Sequence, residues 1–225
     1  MSQRNLDFGL EDLKQHLIGM AGYVEVAIDN AIQAWRARNV DSIQQVHQIE
    51  IKVNENHIAI DAECVKLLAT QQPMASDLRL ILAVIKINGE MERMVDQAVN
   101  IANNAEYYLK VPPLIQVADL SQMSDEVKWM VRNSIDAFVK GNEPLAHEVC
   151  LRDDKVDGFK NKIFRDILGQ IKLDVGILEQ GLNLILIARN LERIGDHATN
   201  IAEDVIFTVS GEDIRHSPKL EPRVK

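Results

Sequence analysis

Apolar residues recur at threes and fours along almost the whole chain. Over residues 7–38, Leu13, Leu17, Met20, Val24, Ala27, Ala31 and Ala34 fall on one side of a helix. A second stretch opens at Asp41, which reads as an N-cap, and runs to about Ala69. The segment TQQPMASD breaks the pattern, and Ser76 is placed to cap a third stretch that reaches about Leu109. The adjacent prolines in KVPPLIQVADLSQ interrupt the periodicity in the middle of the chain. Three more helical stretches follow, near 122–140, 143–172 and 174–209; Gly141 and Asn142 separate the first two, and Asp174 is placed to cap the last. The tail SGEDIRHSPKLEPRVK is polar, contains proline and is expected to fray.

The two halves share more than amphipathicity. Residues 191–204 read LERIGDHATNIAED and residues 91–104 read MERMVDQAVNIANN; seven of the eleven positions from 92 to 102 are identical. Upstream, AIQAWRARNVDSIQQVHQIEIKVN parallels SIDAFVKGNEPLAHEVCLRDDKVD at an offset of 103. Two unrelated amphipathic helices would share apolar spacing, but not the same Glu, Arg, Asp and Asn. A tandem repeat of a three-helix unit explains both matches. The expected fold is therefore all-α, with six helices in two tandem, pseudo-symmetric three-helix bundles spanning residues 1–110 and 111–225.

Placed on a helix at about 100° per residue, Ile87, Met91, Met94, Ala98 and Ile101 make one apolar seam. Glu92, Asp96 and Asn100 step by four and point roughly away from it, as do Glu192, Asp196 and Asn200 in the second copy. These oxygens are expected on the outer face of the bundle; the plain reading of the row is a solvated face, with Arg93–Asp96 and Arg193–Asp196 as i,i+3 ion pairs. Like-charged neighbours one helical turn apart, such as Glu192 and Asp196, destabilise an isolated helix slightly, and a shared cation would reverse that sign. A second acidic row, Asp153 and Asp157, lies one helix earlier, and its first-half counterpart is Glu50 with Asn54. Two adjacent helices offering rows of oxygens could hold a hard cation. Oxygen ligands favour Mg, Mn or Ca, although Fe or Zn also occupy carboxylate sites.

Composition narrows the function. Hydrophobic residues make up 46% of the chain but aromatics only 4%, so Leu, Ile, Val and Ala must supply the core, as suits helices. A net charge of −9 argues against nucleic acid as the main partner, because phosphate binding needs a basic stripe. Cys64 and Cys150 have no metal-ligand spacing and are expected in or near helix cores, in a reducing compartment. The N-terminal residues lack the apolar run of a secretion signal, and LNLILIARN is too short to span a bilayer, so a cytoplasmic protein without membrane insertion is expected. No Glu has a His three residues later, which argues against a ferritin-like di-iron site. A glycine-rich phosphate loop, Gly-x-Ser-x-Gly and His-Glu-x-x-His are also missing, so a binding module rather than an enzyme is expected.

The segments PMASDLRLILAVIKINGEMERMVDQAVNIA and NLERIGDHATNIAEDVIFTVSGEDIRH resemble the paired signatures of the PhoU family, accessory regulators of bacterial phosphate-specific transport. The resemblance extends from HLIGMAGYVEVAIDNAIQAW to IRH and is most specific in the two Glu-Arg-x-x-Asp-x-Ala-x-Asn-Ile-Ala motifs. It implies a non-enzymatic homodimer that binds metal at Glu/Asp-x-x-x-Asp motifs. It also implies a negative regulator that connects the ATPase subunit of the phosphate ABC transporter with the phosphate-sensing histidine kinase and keeps phosphate-starvation genes off. Carried onto this chain, the metal positions would be Glu92 and Asp96 with Glu50, and Glu192 and Asp196 with Asp153 and Asp157, supported by Asn54, Asn100 and Asn200. Asn54 stands where the family pattern usually has Asp, so the first site is expected to bind more weakly. The competing reading is a metal-buffering or storage helical-bundle protein.

Overall fold

The computed structural model describes residues 5–110, 118–211 and 214. Within them the chain forms α1 (Asn5–Arg36), α2 (Val40–Gln71), α3 (Ser76–Leu109), α4 (Ala118–Lys140), α5 (Glu143–Leu173) and α6 (Leu178–Ser210), with a 3-10 turn at Val175–Ile177 before α6. No strand occurs among the described residues. The prolines at 112 and 113 and the tail from 215 onward, with its expected fraying, lie outside them.

Helices α1, α2 and α3 pack on one another, and α4, α5 and α6 do the same. The two sets meet mainly through α3 against α6, with a smaller contact between α1 and α4. Lys86 reaches Asp204 and Glu90 reaches His197, so the numbers run in opposite directions and α3 and α6 are antiparallel.

The repeat is visible in the core. Buried positions recur one hundred residues apart: Val84 and Leu184, Ile87 and Ile187, Met91 and Leu191, Met94 and Ile194, Ala98 and Ala198, Ile101 and Ile201. Where size changes at one position, a packing neighbour compensates. A Cβ on Gly195 would meet Val156 and Met130, whereas the equivalent places in the first unit hold Val95, Val53 and the small Ala27. A Cβ on Gly181 would lie 2.8 Å from both Ile167 and Ile171; there the first unit has Ile81 facing the positions of Cys64 and Leu68. The bulk at a glycine position is thus partly taken up by larger neighbours across the groove.

Helix starts depart from the sequence expectation in three places. Asp41 is not the cap of α2: Asn39 is, its side chain accepting from the Asp41 amide at 3.1 Å. Its repeat partner Asn142 caps α5, accepting from the Leu145 amide at 3.2 Å. The residue before each cap is left-handed, Gly141 at φ 58 and Arg38 at φ 53. Arg38 offsets that conformation by donating to the Leu109 carbonyl at 2.8 Å and lying over the Tyr108 ring. Ser76 is the first helical residue of α3, after Ala75 at φ 47, and makes no cap. Asp174 caps the 3-10 turn, accepting from Gly176, and α6 begins beyond it.

Two glycine substitutions separate close packing from backbone freedom. Gly181→Val should destabilise by roughly 1–3 kcal/mol, because its added atoms collide with Ile167 and Ile171. Gly89→Ala, with nothing within 4 Å of the new Cβ in mid-helix, should stabilise by about 0.5–1 kcal/mol. Urea denaturation of both variants checks this; equal effects at the two positions would contradict the close α5–α6 approach.

Candidate functional site

The acidic rows do not stand on the open outer face that the sequence suggests. Helix α6 is flanked by α3, α4 and α5, and α3 by α1, α2 and α6, so each keeps only a strip for polar side chains. The repeated motifs fill those strips with one burial pattern: Glu92 and Glu192 are half-buried, Asp96 and Asp196 exposed, Gln97 and His197 half-buried, Asn100 and Asn200 exposed. The rows thus border grooves between α2 and α3 and between α5 and α6.

In the α5–α6 groove, Asp153 and Asp157 face Glu192 and Asp196, as their spacing implies. Burial, followed by the charges of Glu192, Asp153 and Asp157, pushes the Asp196 carboxyl up to about 6. Asp153 is raised as well, by burial and then by Asp157, while Thr199 donates to it at 3.4 Å and partly opposes the rise. Lys160, not foreseen from the sequence, already supplies one cation here. Its Nζ donates to Asp157 Oδ1 at 2.7 Å and to Glu192 Oε1 at 2.6 Å. Burial works against the lysine charge, but these two bonds outweigh it and hold the ammonium above its ordinary range.

The α2–α3 groove is the less acidic copy. Glu92 is raised by burial and then by Asp96, with His57 acting in the opposite sense. Asn54 supplies an amide where the second groove has Asp157. Glu50 lies 3.8 Å from His47 Nδ1 on its own helix. His57 occupies the repeat position of Lys160; its Nδ1 is buried without a hydrogen-bond partner, and its carbonyl accepts from Asn88 at 3.0 Å. Asn88 donates to Asp61 as well, at 2.9 Å.

The expected i,i+3 ion pairs do not form. Arg93 turns back to Glu90, and no such pair joins Arg193 to Asp196. Glu90 is the centre of a contact between the bundles: it meets His197 Nδ1 at 2.6 Å and accepts from Asn200 at 3.1 Å. Burial would raise the Glu90 carboxyl, but His197, Asn200 and Arg93 together lower it. Asn200 is therefore turned to the α3–α6 seam, and the carbonyl of Asn100 accepts from Asn104. Both thiols are unreactive in character: Cys64 is buried, Cys150 half-buried, and burial pushes each up to about 12.

In kind, the donors of the α5–α6 groove fit a hard divalent cation, being carboxylate oxygens that raise one another's affinity for positive charge. In position they follow Lys160, and among the described residues no three His, Cys, Asp or Glu side chains are gathered to hold a metal ion.

The PhoU domain family model matches residues 17–105 and again 120–205. A Pseudomonas aeruginosa protein named phosphate-specific transport system accessory protein PhoU homolog is 36% identical over 208 residues, covering 92% of this chain and 86% of that one. The crystal structure of PhoU from P. aeruginosa superposes with a TM-score of 0.90 at 35% identity, over 92% of this chain and 100% of the other. That of the phosphate transport system regulatory protein PhoU from Streptococcus pneumoniae gives 0.85 at 25% identity, over 93% and 99%.

The raised Asp196 carboxyl has a defined consequence for stability. Its folded value, about 6, exceeds its ordinary 3.8. The stabilisation tied to its protonated form is complete below the ordinary value and is lost as pH rises through the folded one. In chelator at pH 8, Asp196→Asn should therefore be more stable than the parent by roughly 1 kcal/mol, after allowing for solvent screening at this exposed residue. The difference should vanish below about pH 4. Urea titrations at the two pH values measure it, and equal stability at pH 8 would mean that the carboxylates do not repel.

Proposed function

The chain belongs to the PhoU family, and from that premise we propose that it is a non-enzymatic accessory protein of a phosphate-specific transport system and a negative regulator of the phosphate-starvation response. In this reading it works in the cytoplasm as a homodimer and couples the ATPase subunit of the phosphate ABC transporter to the phosphate-sensing histidine kinase. The observation that carries the reading is the double match: relatives named as accessory proteins of phosphate transport align over 92% of the chain. Among the described residues no helix is long and apolar enough to cross a membrane, so contact with a transporter would be made from its aqueous side. A duplicated scaffold with unequal grooves suits two different partners. Its acidic rows would meet basic patches on them, and such complementarity sets specificity and association rate more than affinity.

The proposal includes cation binding. Asp153, Asp157, Glu192 and Asp196 would hold a divalent ion in the α5–α6 groove; Glu50, Glu92 and Asp96, with Asn54, would hold one more weakly between α2 and α3. The ion, Mg, Mn, Fe or Zn, would supply positive charge that cancels carboxylate repulsion. A metal-buffering or storage role is the second reading, favoured only by the two carboxylate rows.

Affinity capture from cells grown in high phosphate separates the readings: the adaptor must bring down the transporter ATPase or the kinase, whereas a buffer brings down neither. A phosphate-starvation reporter should be on in a deletion strain despite abundant phosphate, and Glu192→Lys with Asp196→Lys should weaken repression with helix content intact. Full repression in the deletion strain would remove the regulatory reading. Calorimetry addresses the cation reading. Replacing Asp153, Asp157, Glu192 and Asp196 by Ala should reduce bound divalent ion without unfolding, and unchanged binding would place the site elsewhere.

A further inference from the structure

We propose that Lys160 lowers the cation affinity of the α5–α6 groove as a built-in competitor: its ammonium takes one oxygen each from Asp157 and Glu192, two of the four carboxylates that a divalent ion would use. The inference rests on the reading of this groove as a cation site and goes beyond it by naming what opposes loading. Lys160 Nζ lies 2.7 Å from Asp157 Oδ1 and 2.6 Å from Glu192 Oε1, bridging one carboxylate from each helix. An ion drawing on Asp157 and Glu192 would need the same oxygens. An ammonium is a compact point charge whose donors here take charge-assisted bonds, so it and a second cation cannot share the place.

The repeat supplies an internal control. The position equivalent to Lys160 in the first unit is His57, which lies beside Glu92 and makes no hydrogen bond through its buried Nδ1. The second groove has one carboxylate more than the first, at Asp157 against Asn54, but it also carries the lysine. With His57 neutral, the two grooves have the same formal charge. Lys160 thus offsets part of the advantage that the carboxylates alone would give the second groove.

A displaced lysine has somewhere to go. A groove of about 350 Å³ adjoins the site, lined by Lys160, Phe164, Leu186, Arg189 and Glu192 among others. An ion that took those oxygens would free the ammonium from Asp157 and Glu192 and leave it more accessible on the surface of the second bundle.

The test is calorimetric titration of the full chain with Mn²⁺ after chelation, in parent, Lys160→Met and Lys160→Arg forms, with helix content checked in each. Lys160→Met should bind roughly tenfold more tightly, Lys160→Arg should stay near the parent, and Glu192→Gln added to Lys160→Met should abolish the gain. A second measurement needs no substitution: acetylation of the Lys160 amine in the parent, followed by peptide mass spectrometry, should accelerate when Mn²⁺ is added. Parent and Lys160→Met binding equally, with no change in acetylation, would overturn the competitor role and leave the cation reading standing. No Mn²⁺ binding by any form would overturn the cation reading and the competitor role together.

Discussion

A helix packed on several sides has little surface left for charge, and α3 and α6 are both in that position. Each buries one flank in its own bundle and another against its counterpart, and both do so with the same register of apolar residues. Everything polar on these helices is confined to what remains. That confinement is why Glu92 and Glu192 end half-buried at a groove instead of free in solvent, and why burial is the leading influence on the carboxyls of Glu92 and Asp196. The same crowding turns Glu90 into a tie between the bundles, since His197 and Asn200 lie within reach across the seam.

The second bundle holds carboxylates in three electrostatic conditions within a short distance. Glu126 is buried and served by two cations, Arg152 at 2.6 Å and Lys155 at 2.6 Å, with the Arg152 guanidinium stacked over Trp129. Burial would raise it, but those partners lower it. Asp157 and Glu192 share a single lysine. Among the described residues no lysine or arginine pairs with Asp153 or Asp196, and both are raised. Along this gradient Asp153 and Asp196 are the carboxylates whose charge is least compensated.

Much of the architecture was legible in the sequence because its signals are local or repeated. Helix periodicity located all six helices, and the identical Glu, Arg, Asp and Asn of the two motifs revealed the repeat. Caps were read less well: Asp41 and Ser76 are good capping residues, but Asn39 and the left-handed Ala75 place the helix starts one or two residues away. The site was legible in its members and not in its surroundings. A helical wheel drawn for α6 alone has no α3 beside it, so the stripe read as an open face and the arginines were paired within their own helix. Lys160 escaped because its role depends on Glu192, thirty-two positions away. The offset of 103 could have flagged it, since it sets Lys160 and His57 at one place in the repeat.

The antiparallel α3–α6 seam also bears on the birth of the molecule. Its two helices end at Leu109 and Ser210, so the first is finished well before the second exists. At ordinary synthesis rates of about 5–20 residues per second, the interval lasts roughly 5–20 s. Throughout it the first three helices can assemble while the flank of α3 meant for α6 remains uncovered. A ribosome that stalls inside α4 or α5 would hold a folded half with an adhesive side, able to capture the α6 of a neighbouring chain. A tandem fold whose halves meet mainly through one helix pair thereby leaves its first half exposed at that seam until the second is made.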